Sequence, residues 1–343
     1  MKKFLSIALA LVMVLSLAAC GGNKSEGTDG GSSDAGSSDE TVKVALVLSG
    51  DINDGGWCQS AYEGFVAAGE EYGLETAYSE SVNQPDFEST IREYAANGYN
   101  LVICVGSEFA DACTVVAPEF PEVMFADFNG NVELEPNLAS YRYTTTQTGF
   151  AAGVIAATIT KSNKVAYLSG SNAAHFQDSY ESFKDGAKYI NPDIEAEAIV
   201  MDTFDDVALA QETAQGLIDK GYDVLLGNAN TASLGVIAAC EESGIMCIGI
   251  ISDQYSQGDC VKVSVVQDNA TLVQAVVKQY IDGEFKASIN LFGMNEGAIY
   301  VSDWHGHDSE FTEEQIAQIN EAVEKIADGS LKEEGILRKT SFE

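Results

Sequence analysis

Residues 98–106 read GYNLVICVG, and residues 221–228 read GYDVLLGN, 123 positions further on. Each copy follows a helical pattern and precedes another. A second strand-like run comes next in both cases, Val123–Phe128 after the first copy and Cys247–Ile251 after the second. A chain that repeats helix, strand, helix and strand in this way makes two versions of one α/β lobe. The repeat places them at about residues 42–145 and 146–265.

The remaining pattern fits that plan. Strands are expected at Val42–Ser49, Leu101–Gly106, Val123–Phe128, Lys164–Gly170, Asp223–Asn228, Cys247–Ile251, Val261–Val266 and Ala298–Ser302. Their near-continuous Val, Ile, Leu and Ala content is that of parallel strands buried on both faces. Helical patterns lie between them, and five stop at Gly73, Gly98, Gly221, Gly244 and Gly283, where a left-handed cap is expected. A further strand and helix over 261–283, then a strand and the Thr312–Asp328 helix, must join existing sheets. The chain is expected to return to the first lobe after about Val266 and to cross back near 288–293. The fold class is therefore α/β, with two Rossmann-like lobes of parallel sheet and a three-strand hinge, the layout of type I periplasmic-binding-protein folds. The lobes are residues 41–145 with 266–290, and 146–265 with 291–343. Such sheets bind ligands outside the carboxyl ends of their strands.

The N-terminus adds a location. Lys2 and Lys3 precede an apolar run from Phe4 to Leu17 that closes on Leu17-Ala18-Ala19-Cys20. A basic end, a short apolar segment and small residues before a cysteine read as a secretory signal over 1–19 with lipidation at Cys20. The run is shorter than the ~20 residues that span a membrane comfortably; the competing reading is a plain anchor helix. Residues 20–40 are rich in Gly, Ser, Asp and Glu, with no large apolar residue to offset ordering entropy, and are expected to be disordered. A tether of that length reaches roughly 25 Å. The expected location is the cell membrane, lipid-anchored, on its extracytoplasmic face.

Net charge is −35, and loss of Lys2 and Lys3 takes it to −37. A nucleic-acid partner would need a basic footprint that is missing. After Cys20, six cysteines remain: Cys58, Cys104, Cys113, Cys240, Cys247 and Cys260. Six allow 15 disulfide connectivities. Cys104, Cys247 and Cys260 sit in apolar runs, so mostly free, buried thiols are expected.

The turn after the first strand runs Ser49-Gly50-Asp51-Ile52-Asn53-Asp54-Gly55-Gly56-Trp57-Cys58-Gln59-Ser60-Ala61-Tyr62-Glu63-Gly64-Phe65. Its glycines let backbone approach a bound molecule, Trp57 offers an aromatic face, and the acids and Asn53 supply acceptors. A capped helix start with Trp57 in the core is the plainer alternative. The turn resembles the basic membrane protein family of substrate-binding lipoproteins, which includes purine nucleoside receptors. Further matches follow in order: Ser107-Glu108-Phe109, Phe125-Ala126-Asp127, Gly149-Phe150-Ala151-Ala152-Gly153, Lys164-Val165-Ala166-Tyr167, Ala187 to Asp193, and Ser252-Asp253-Gln254. The resemblance implies that Trp57 stacks on a base-like ring and that Asp54 accepts a hydrogen bond from the ligand. Cys58 and Gln59 belong to the same motif. Ser107, Phe109, Asp127, His175, Phe176, Asn228, Asn230 and Asp253 lie at strand ends where a cleft is expected, with Phe176 as the second aromatic wall; helix capping is the alternative role for the polar ones.

Three departures bear on the ligand. Trp57-Cys58 stands where the family has Phe-Asn, Ile251 where it often has an acid expected to hold sugar hydroxyls, and Val263-Ser264-Val265-Val266-Gln267 where Thr-Ser-x-x-Lys is common. The ligand is thus a nucleoside held differently, a free base, or another solute. The resemblance implies a monomeric, non-enzymatic receptor without cofactor or metal, partnered by an ABC permease in the membrane. The rivals are a receptor presenting solute to a sensor kinase, a transcriptional regulator, and a metal-dependent enzyme built on Asp303-Trp304-His305-Gly306-His307-Asp308. No P-loop or Gly-x-Ser-x-Gly elbow supports an enzyme.

Overall fold

The computed structural model describes residues 41–54 and 56–341. The signal segment, Cys20, the linker and Gly55 lie outside the described residues. The first sheet contains β1 (Lys43–Leu48), β2 (Glu75–Ser79), β3 (Leu101–Val105), β4 (Met124–Phe128), β5 (Leu138–Tyr143) and β11 (Ile289–Phe292). Its order is β11-β5-β4-β3-β1-β2. The second contains β6 (Lys164–Ser169), β7 (Glu195–Val200), β8 (Val224–Asn228), β9 (Met246–Ile251), β10 (Val261–Gln267) and β12 (Ile299–Val301), in the order β12-β10-β9-β8-β6-β7. The repeated segments are therefore β3 and β8, which hold the same place in the two sheets. The strands are parallel except β12, which pairs antiparallel with β10 over Val265–Gln267. That three-residue edge strand departs from the all-parallel expectation.

Alternation along β1 shows how the layers arise. Val44, Leu46 and Leu48 face one cluster and Ala45 and Val47 another, as the two-residue period of a strand requires. The first face packs under α1 (Trp57–Tyr72), and the second under α2 (Phe87–Ala96) and α3 (Ala110–Val116). In the second lobe, α4 (Thr145–Ile159) and α5 (Ala174–Ile190) share the large cluster, while α6 (Val207–Ile218) and α7 (Ser233–Ser243) cover the other face. After β10 the chain returns to the first lobe as α8 (Asn269–Ile281), which packs on α1; α9 (Glu313–Ala327) later packs against α4.

The five glycines expected to end helices all have positive φ, from 64° at Gly73 and Gly244 to 90° at Gly221. In the second lobe glycine serves close approach instead. A Cβ at Gly149 would lie 1.9 Å from the Ser179 carbonyl oxygen, one at Gly153 2.0 Å from that of Phe183, and one at Gly186 2.1 Å from that of Phe150. The α4 and α5 backbones therefore touch, which explains why α4 is built from small residues and buried on all sides.

The chain passes between the sheets at 143–145, 267–269 and 292–299. These passages are bonded to one another. Tyr143 Oη donates to Asn269 Oδ1 at 2.8 Å, Gln267 Nε2 donates to Thr148 Oγ1 at 2.9 Å, and Met294 N donates to Gln147 Oε1 at 2.7 Å.

Candidate functional site

A cavity of about 700 Å³ opens between the carboxyl ends of the two sheets. That volume suits a small organic molecule. Ser49 and Gly50 after β1, Gly106 after β3 and Asn129 after β4 supply one wall; Ser171 after β6, Asn228 closing β8 and Ile251 closing β9 supply the other.

On the first wall, Asp54 organises the start of α1. Its carboxylate accepts the backbone N–H of Gly56 (2.8 Å), Cys58 (2.9 Å) and Gln59 (3.1 Å). These are donors that a helix start otherwise leaves unmet. Trp57 borders the cavity and donates its indole N–H to the Val105 carbonyl at 3.3 Å, with Tyr143 edge-on at 6.0 Å between ring centroids. The Trp57 carbonyl accepts from Asn269 Nδ2 at 2.8 Å. Cys58 lines the cavity as an inert thiol: burial, reinforced by Asp54, pushes it up to about 12. Ser107 is an exposed lining residue. Beside it Glu108 also faces the cavity, with Ser49 Oγ donating to it at 2.5 Å.

On the second wall, His175 and Phe176 line the cavity with ring centroids 4.5 Å apart, and Phe176 packs on Phe204 at 5.7 Å. Burial, helped by the Arg142 charge, lowers His175 to about 4, so it is neutral at pH 7. Asn228 Nδ2 donates to Tyr167 Oη at 2.7 Å, which aims the side chain from the end of β8. Asn230 borders the cavity in a left-handed conformation with φ 43°. Ile251 does so at φ 72°, unusual for a β-branched residue.

Four expected site residues lie off the cavity. Phe109 is fully buried, 4.0 Å from the Phe87 ring in the core beneath α2 and α3, because its backbone turn points it inward. Gln59 sits one position too far round α1 and donates to Glu63 on the next turn at 2.9 Å. Asp253 binds His305 Nε2 through Oδ2 at 2.9 Å. Asp127 is fully buried, and neither carboxylate oxygen has a hydrogen-bond partner among the described residues. It fits only because residue 130 is glycine. Burial, with the Glu108 charge behind it, holds its carboxyl well above the usual range. Nearby Arg142, also buried, donates to the Gly130 carbonyl.

The histidine segment is engaged with its neighbours. His305 stacks on Tyr255 at 4.0 Å, and His307 Nδ1 lies 2.6 Å from Glu310 Oε1. Among the described residues no group of three or more His, Cys, Asp or Glu is placed to hold a metal, and no helix is long and apolar enough to cross a membrane. The six cysteines from Cys58 to Cys260 are buried and unbridged.

The model of the Bmp family, described as ABC transporter substrate-binding protein PnrA-like, matches residues 41–332. The chain belongs to the Bmp family. The transcriptional activator protein med of Bacillus subtilis (strain 168) is 25% identical to it, over 83% of this chain and 90% of its own. The ABC transporter nucleoside-binding protein BmpA of Lactococcus lactis subsp. cremoris (strain MG1363) is also 25% identical, over 85% of this chain and 88% of its own. Among solved structures, an ABC transporter system solute-binding protein from Aeropyrum pernix K1 shares the fold with a TM-score of 0.74 at 20% identity, covering 84% of this chain and 92% of that one.

In this Bmp chain the first-turn motif does reach the cavity, through Asp54, Gly56, Trp57 and Cys58. Sequence reasoning passed over Phe204, Glu108, Asn129 and Gln267, which the fold also brings there. A signal for Glu108 was present: it lies between Ser107 and Phe109 at the end of a repeated strand.

Proposed function

We propose that this Bmp-family chain is an extracytoplasmic solute receptor of an ABC importer, lipid-anchored through Cys20, that binds a purine nucleoside or related base between its lobes. The observation that carries this reading is the cavity itself, with Trp57 on one wall and the Phe176–Phe204 pair on the other. A flat heterocycle presents two π faces, and aromatic side chains from separate lobes can take one each. Amides at Asn129, Asn228 and Gln267 supply donors and acceptors for its edges. The nucleoside-binding relative supports the same class of solute.

The protein acts as a monomer and carries out no chemistry on its ligand. Solute that touches both walls stabilises the closed arrangement more than the open one, which is what drives hinge closure. The closed form is what a membrane permease, powered by an ATPase, recognises. Asp54 acts indirectly here, holding the start of α1 so that Trp57 stays at the mouth.

Calorimetry with a nucleoside and base panel tests this. Trp57→Ala and Phe176→Ala should each weaken binding by roughly 1–3 kcal/mol, the range for base stacking on an aromatic ring. A protein whose melting temperature ignores every nucleoside and base would sink the ligand assignment. Incorporation of an alkynyl palmitate analogue, abolished in Cys20→Ala, checks the anchor separately.

A further inference from the structure

The cavity carries a charge imbalance that the functional reading leaves unused. Three carboxylates border it, those of Asp54, Glu108 and Asp205, and among the described residues no lysine or arginine does, the buried Arg142 behind His175 being off the lining. The imidazole of His175 is neutral at pH 7. Asp54 is occupied by three backbone N–H groups. Glu108 is placed differently. Its side chain folds back over the end of β3, where a Cβ at Gly106 would sit 2.4 Å from Oε2. The absent side chain at Gly106 leaves the carboxylate that place, and Ser49 Oγ donates to it there from the end of β1. Its charge adds to the burial that raises Asp127 and, as the least of several causes, to the shift of Cys58.

We propose that Glu108 is a specificity-determining residue that makes the cavity select by charge, taking a solute that presents positive charge or hydrogen-bond donors to the first-lobe wall and rejecting phosphate- or carboxylate-bearing analogues. The inference rests on the receptor reading and narrows its ligand to a neutral or cationic heterocycle. Closure removes water from the wall, which strengthens every charge interaction inside it. A like charge brought against a carboxylate there is then strongly disfavoured.

Calorimetry on the full chain with two matched series tests the rule. One is guanosine, guanosine 5′-monophosphate and 7-methylguanosine, compared at about pH 6, where the last is cationic; the other is glucose, glucose 6-phosphate and glucosamine. In the series that binds, the phosphate should bind at least about a hundredfold more weakly than the neutral member, and the cation about tenfold more tightly. Glu108→Gln should bring the cation-to-neutral ratio close to one, and added salt should shrink that ratio in the wild type. Phosphate binding within threefold of the neutral member overturns the inference, as does a ratio that Glu108→Gln leaves intact. Binding in the sugar series alone, with the charge ranking kept, overturns the nucleoside assignment and supports the charge rule. No binding in either series overturns both.

Discussion

At the end of its fourth strand the first lobe carries Asp127, and the second lobe carries Gly249 in the equivalent place. Register fixes the correspondence: Met124 lies beside Leu101 and Asp127 beside Ser140, while Met246 lies beside Val224 and Gly249 beside Ser264. Two residues on, Asn129 matches Ile251, and both are left-handed. The serines do the same work. Ser140 Oγ donates to the Val132 carbonyl at 2.6 Å and accepts the Val132 N–H at 3.0 Å; Ser264 Oγ accepts the Gln254 N–H at 3.1 Å. The hydrogen bonds that hold the strand-end loops are thus common to both halves, while the side chains beside the ligand space differ. The first wall is acidic with one large ring. The second carries one acid, Asp205, and is otherwise aromatic, amide-rich and, at Ile250 and Ile251, aliphatic. A repeated frame leaves its strand ends free to acquire separate chemistries.

The sharpest way to break the comparison is through the helix pairs. Gly153→Val forces a branched side chain into the Phe183 backbone and should destabilise the protein by about 3 kcal/mol, read from urea unfolding. A loss below about 1 kcal/mol would mean that α4 and α5 can part.

The half-buried histidine of the second wall is next. Neutral His175 favours the fold above its unfolded value near 6.5; as pH falls from there to about 4 the unfolded chain gains a proton that the native state refuses. Stability should drop by about 2–3 kcal/mol over that window and then level off at lower pH for this group. His175→Asn should lack that component, measured as the difference between the two unfolding profiles.

The smallest effect concerns the two left-handed strand ends. Ile251→Asn makes the second lobe match Asn129 and should raise stability by about 1 kcal/mol, because asparagine tolerates the conformation that isoleucine resists. An unchanged melting temperature would show that lost packing of Ile251 offsets the relief.

The frame was legible because buried parallel strands advertise themselves as runs of Val, Ile, Leu and Ala. The outer strands β2 and β7 did not. Glu75–Ser79 and Glu195–Val200 are partly exposed and carry glutamates, so no apolar run marks them. β5 was missed for another reason: it is fully buried, yet it reads Leu-Ala-Ser-Tyr-Arg-Tyr, its polar groups satisfying loops and crossings that have no local signature. At the site, a strand end told which residues were near the cleft but not which way each pointed. Ser107 and Glu108 face the cavity, and Phe109, one position on, is core. Phe204 belongs to no motif and reaches the wall through a loop that packs on Gly170.

Trp57 is held at two points, its indole nitrogen by the Val105 carbonyl in the first sheet and its backbone carbonyl by Asn269, which closes the second passage between lobes. Any rotation at that passage tugs on the peptide that carries the ring. Its emission is therefore expected to follow lobe angle as well as occupancy. With Trp304 replaced by phenylalanine to silence the second indole, one built-in fluorophore can follow opening and closing without an attached dye.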